Sequence, residues 1–267
     1  MASYVDFSIG FTGADDQYIS SVSTPVDDPI AQLAVDGSAH TVAGRVLIRY
    51  CTGSSSTSDS GDCAWMADDV IKFINKVLAK HSAKAGAVCL MGYSSGCFLA
   101  LAVAAKLKTA GFGRLAYIGL GDLPIFPYGR TPPVGNGIGQ VRPSNDPSLI
   151  AAGGGIPQVA GFPVDADVLD NYYQTSGNGA PKPVWNKPNG KAGWWWDSSM
   201  TYGEVHGTVD GWTNIALAAP TVAPKLPGAG AITSASNYHT NFCRQVCPAQ
   251  FKKDATAAML AYIKAHP

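Results

Sequence analysis

Ala87-Val88-Cys89-Leu90-Met91-Gly92-Tyr93-Ser94-Ser95-Gly96-Cys97 is the stretch on which the fold turns. The apolar run Ala87 to Met91 does not alternate with polar residues, so it reads as a strand buried on both faces, as inside a parallel sheet. From Cys97 to Leu107 the chain is rich in Ala and Leu and reads as a helix. A glycine-flanked turn therefore joins a central strand to a helix.

The segments on either side repeat that alternation. Tyr4 to Phe11 and Arg45 to Tyr50 read as strands, and Ile30 to Ala43 as a weak helix around Leu33. Between Trp65 and Leu78, Met66, Val70, Phe73, Ile74, Val77 and Leu78 recur at helical spacing. Asp68 and Asp69 come early on the other face and Lys72 and Lys76 later, the order a helix dipole favours. Leu115 to Leu120, a stretch within Val164 to Gln174, and Glu204 to Val209 read as further strands, and Phe251 to Ile263 as a closing helix. Alternating strands and helices predict an α/β fold, a mostly parallel sheet flanked by helices. Residues 1–267 read as a single domain, with 124–196 as a Pro-, Gly- and Trp-rich lid or substrate-loop region.

Composition narrows the function. Nineteen Lys and Arg balance nineteen Asp and Glu, so no field gathers nucleic acid or anionic lipid. No apolar run approaches the roughly 20 residues that span a bilayer, so no integral membrane segment is expected. Met1 to Phe7 carries no basic n-region or apolar h-region, which fits a cytoplasmic protein or signal-independent export, whereas the pairs Cys51 with Cys63 and Cys243 with Cys247 would suit an oxidising compartment, so localisation stays open. Gly153-Gly154-Gly155 lacks the Lys-Ser/Thr pair and flanking elements of a phosphate loop.

Gly92-Tyr93-Ser94-Ser95-Gly96, in its strand-turn-helix setting, resembles the nucleophile elbow of the α/β-hydrolase family, with matching element order from Tyr4 to Leu123. In such an elbow the central serine sits on a strained turn, and glycines two before and two after let strand and helix pass closely. The resemblance implies a serine esterase or lipase-like hydrolase, cleaving a small-molecule or lipid-like carboxylic ester through an acyl-enzyme on Ser94. It implies no metal or cofactor. Two alternatives stay open: acyl transfer to an alcohol by the same triad, and a non-catalytic binding member of the fold.

In that family the base is a late histidine, and the triad runs Ser, acid, His. Of five histidines, His40 and His81 precede the elbow and read as surface residues, and His266 is next to last. His239, in a polar loop before the closing helix, is the expected base and His206 the alternative, which also reads as a hydrogen-bonded core imidazole. Asp122 directly follows Leu115 to Gly121 and is the expected acid, with Asp170, Asp197 and Asp210 as alternatives. The N–H of Ser95 is the expected oxyanion donor. Ile9-Gly10-Phe11-Thr12-Gly13-Ala14 resembles the oxyanion turn of lipase-like hydrolases, which implies the N–H of Ala14 as the second donor.

Of six cysteines, Cys89 and Cys97 read as buried core thiols. Cys51 with Cys63, and Cys243 with Cys247, are each spaced to close a short disulfide loop. Trp194 to Trp196, with Tyr202 and Trp212, read equally as the lining of a binding cleft and as a satellite core.

Overall fold

A computed structural model describes residues 3–13, 33–53, 61–93, 96–122, 142–144, 155–157, 164–174, 184–186, 192–195, 211–218 and 242–267. In chain order the strands are β1 (Tyr4–Thr12), β2 (Arg45–Gly53), β3 (Lys84–Tyr93), β4 (Leu115–Gly121), β5 (Arg142–Ser144), β6 (Gly155–Pro157), β7 (Ala166–Gln174), β8 (Val184–Asn186), β9 (Ala192–Trp195) and β10 (Thr213–Leu217). The helices are α1 (Gly61–His81), α2 (Gly96–Thr109) and α3 (Cys247–Ala265), the last entered through a π turn at Phe242–Val246. Six strands form one all-parallel sheet in the order β10-β7-β4-β3-β1-β2. Two small ribbons, β5 with β6 and β8 with β9, stand apart in the stretch read as irregular. The α/β expectation holds, and β7, inside the span read as a lid region, is a strand of the main sheet.

The unbroken apolar run of β3 is explained by its place between β1 and β4, with helices on both faces. Val5, Phe7, Ile9 and Phe11 of β1 point to the side where α1 and α2 lie, against Val70, Ile74, Leu99 and Val103. An exposed ion pair from Lys106 to Asp68 ties those two helices together at their surface. The opposite face is covered by α3, whose Phe251, Ala255, Met259 and Ile263 recur every four residues and meet Cys89, Met91 and Tyr117. Each such fully buried large side chain contributes about 1.5–3 kcal/mol.

Four expectations are corrected. Residues 33–43 form turns and bends rather than a helix. Their N–H groups bond elsewhere, Val35 N–H donating to Ser8 Oγ at 2.8 Å and Asp36 N–H to Thr256 Oγ1 at 2.9 Å, and Leu33 and Val35 are buried on the α3 side. His40 is not a surface residue: its side chain is 4 % exposed and Nε2 lies 2.9 Å from Asp6 Oδ2. Trp212 is buried in the core on the α1 and α2 side rather than in a satellite cluster. Cys247 is a free thiol, so no disulfide joins it to Cys243. The expected strand at 204–209 and the Cys63 side chain lie outside the described residues.

Candidate active site

The chain runs from β1 to β2 on one side of the sheet, then returns to place β3 on the other side of β1 and continues outward through β4, β7 and β10. This reversal is a topological switch point, and open parallel sheets bind ligands in the crevice outside the carboxyl ends of the strands at such a point, here β1 and β3. The strand ends concerned are Phe11-Thr12 and Gly92-Tyr93, and Phe11 is the register partner of Gly92.

At this crevice the glycines have a steric reason. A Cβ on Gly92 would lie 2.6 Å from the carbonyl carbon of Gly96 and 2.9 Å from Cys97 N. A Cβ on Gly96 would lie 2.6 Å from Thr12 O and 2.7 Å from Phe11 C. Both obstacles are backbone and cannot swing aside. The first turn of α2 is thus pressed against β3 at one end and β1 at the other, as a tight turn between a central strand and its helix requires.

Tyr93, the last residue of β3, pairs with Gly121, the last residue of β4, and Asp122 follows Gly121 directly. Asp122 is fully buried at a φ of 51°, a left-handed conformation that Asp tolerates better than most residues and that gathers at functional sites. Its N–H donates to Tyr172 O of β7 at 2.7 Å. Behind it, the Cys97 thiol lies 3.2 Å from Gly92 O and 3.4 Å from Gly121 O, so it touches both strand ends. Burial pushes the Cys97 and Cys247 thiols up, and the Asp122 carboxylate adds to that push. These thiols are therefore uncharged and poor nucleophiles.

Thr12 was not singled out by the sequence. Alternation along β1 places it on the same face as Asp6 and Ser8, and it is fully buried. Its Oγ1 has no hydrogen-bond partner among the described residues. A buried hydroxyl without a partner costs about 1–3 kcal/mol.

Of the expected site residues, the structure places Asp122 at the strand end and Asp170 elsewhere. Asp170 is in mid-strand on β7, paired with Gly119 and Thr213, and its carboxyl meets the Tyr172 hydroxyl at 3.1 Å. Ser94, Ser95, Ala14, His206, His239, Asp197 and Asp210 lie outside the described residues. Among the described residues no group of three or more His, Cys, Asp and Glu is gathered to hold a metal ion, and no helix is long and apolar enough to cross a membrane.

No protein-family model matches the chain. No curated protein matches it in sequence. Among solved structures it is similar to a cutinase-like protein from Cryptococcus sp., with 17 % identity over 96 % of this chain and 95 % of that one and a TM-score of 0.37. A likeness at that level carries no argument about the site, which rests on its own geometry.

Proposed function

We propose that this chain is a serine hydrolase of the α/β-hydrolase type, an esterase or lipase-like enzyme that cleaves carboxylic esters through an acyl-enzyme on Ser94. The observation that supports the reading is the close packing at Gly92 and Gly96, which holds the end of β3 against the start of α2 as a Gly-x-Ser-x-Gly elbow requires. A serine alcohol is a weak nucleophile and needs a base. His239 takes the proton and returns it to the leaving alcohol, with His206 as the alternative base. Asp122 accepts from the imidazole, holds its tautomer and stabilises the imidazolium. The N–H groups of Ser95 and Ala14 receive the oxyanion, and the Thr12 hydroxyl at the end of β1, without a partner among the described residues, is a third donor.

The test is labelling with a fluorophosphonate probe alongside hydrolysis of a short activated ester. The wild type should be labelled once and turn over, and Ser94→Ala should lose labelling and on the order of 10⁴ or more in turnover with its fold intact. His239→Ala should lose nearly as much and His206→Ala far less, because the triad acts as one unit. A folded Ser94→Ala variant with undiminished turnover ends this reading.

A further inference from the structure

Beneath α3 the Tyr172 hydroxyl of β7 meets three oxygens at once. It lies 2.8 Å from the Tyr117 hydroxyl of β4, 3.1 Å from Asp170 Oδ2 and 2.6 Å from Asp254 Oδ2 of α3. Gln250 Nε2 donates to Asp254 Oδ2 at 2.7 Å. Tyr117, Tyr172 and Asp170 are all buried, and Phe251 closes the cluster edge-on to Tyr172 at 5.3 Å.

Hydrogens can be counted. The two phenols bring one each, and burial pushes both phenols up, so each keeps its hydrogen. Three oxygen-to-oxygen contacts on the Tyr172 hydroxyl then share two hydrogens. With both carboxyls ionised, buried Asp170 and half-buried Asp254 would face one hydroxyl as like charges, and Asp170 would bear the cost of a buried charge. One more proton on Asp170 lets its O–H donate to the Tyr172 oxygen and completes the set.

We infer that Asp170 and Asp254 are bridged through the Tyr172 hydroxyl by a proton retained on Asp170, and that this proton is a pH-sensitive clamp holding α3 to the sheet. The groups facing it are Tyr117 from β4, Tyr172 from its own strand, and Asp254 with the neutral Gln250 from α3. Cys89 of β3 lies nearby, its thiol bonded to Ala255 O at 3.7 Å and pushed up by burial. From β10 the register partner is the uncharged Thr213. Burial, then the Asp254 charge, raises Asp170, and the phenol hydrogen bonds only partly oppose them. As pH climbs past the raised value Asp170 ionises, β7 and α3 repel through facing carboxylates, and the clamp opens.

The sign follows from proton binding. Unfolded Asp170 loses its proton near the ordinary value of about 3.9, whereas the folded chain keeps it to higher pH, so stability falls as pH rises between the two. Urea unfolding of the wild type and Asp170→Asn, from about pH 4 upward, should show the wild-type unfolding constant rising relative to the variant by about tenfold per pH unit where only the folded state holds the proton. A ratio that stays flat across that range overturns the clamp. An infrared spectrum of the wild type at weakly acidic pH, below the raised value, should carry a protonated-carboxyl stretch that Asp170→Asn lacks. Its absence from the wild type overturns the proposal even if the variant does not fold. Neither measurement uses activity, so the clamp stands or falls apart from the hydrolase reading.

Discussion

Thr12 is the residue at which stability and chemistry pull in opposite directions. If its hydroxyl is held without a partner for the sake of the oxyanion, the nearly isosteric Thr12→Val should relieve a buried polar group and raise stability by about 1 kcal/mol. The same change should cut ester turnover by on the order of 10²-fold with little change in KM, the scale of losing one oxyanion donor, and Thr12→Ser should restore it. Thermal melts and steady-state kinetics on the three proteins decide it, and full turnover in Thr12→Val would reduce Thr12 to a packing residue. A sequence cannot show a missing hydrogen bond, yet a signal was there. Asp6, Ser8 and Thr12 put three polar side chains on one face of a strand paired on both sides, and the structure gives partners to only the first two. His40 was misread for the converse reason, since its partner Asp6 lies 34 residues away and nothing local announces it.

At the scale of elements, β3 and α2 were legible because the apolar strand, the Ala-rich helix and the glycines Gly92 and Gly96 at their ends all point the same way. Gly96→Ala tests whether the close approach to β1 matters. Its Cβ would strike the backbone of Phe11 and Thr12, and overpacking of that kind costs about 1–3 kcal/mol and displaces the turn. Fluorophosphonate labelling should fall sharply in Gly96→Ala. Gly113→Ala, where a Cβ meets nothing within 4 Å, should label like the wild type. Equal labelling of the two would mean that the turn tolerates the shift. The elements that stayed hidden have weak local signals. β10 is five residues long and largely exposed, so it shows neither an apolar run nor a buried alternation. Residues 33–43 carry apolar Leu33 and Val35, whose burial is fixed by β1 and α3 rather than by a helical period of their own.

Across the whole molecule, buried carboxylates of opposite behaviour sit at different places in the sheet, and together they set how stability depends on pH. Asp6, on β1 about six residues and hence about 20 Å before the crevice, joins three other segments. Its carboxylate takes two bonds from Arg45 at 2.9 and 2.8 Å, one from His40 at 2.9 Å and one from Ala87 N–H at 2.6 Å. Burial alone would raise it, but the Arg45, His40 and Ala87 bonds outweigh burial and hold it below the ordinary range. Asp6 therefore contributes stability that is fully present above about pH 4, its unfolded value, and is lost as pH falls through the lower folded value. Asp170 acts in the opposite sense, losing its contribution as pH rises from the same starting point. The two effects predict a stability maximum in the weakly acidic range, with Asp6 shaping the acid limb and Asp170 the limb above it. Asp6→Asn should cost about 3–5 kcal/mol at neutral pH, because it leaves the Arg45 guanidinium buried beside a neutral amide. That deficit should shrink as pH falls below about 4, where unfolded Asp6 takes up a proton that the folded protein accepts only at lower pH. Urea titrations of both proteins over this range check it, with turnover measured where each remains folded. A deficit that does not shrink in acid would show that shape rather than charge makes Asp6 necessary. A loss of turnover in the folded variant would show that the far end of β1 reaches the crevice after all.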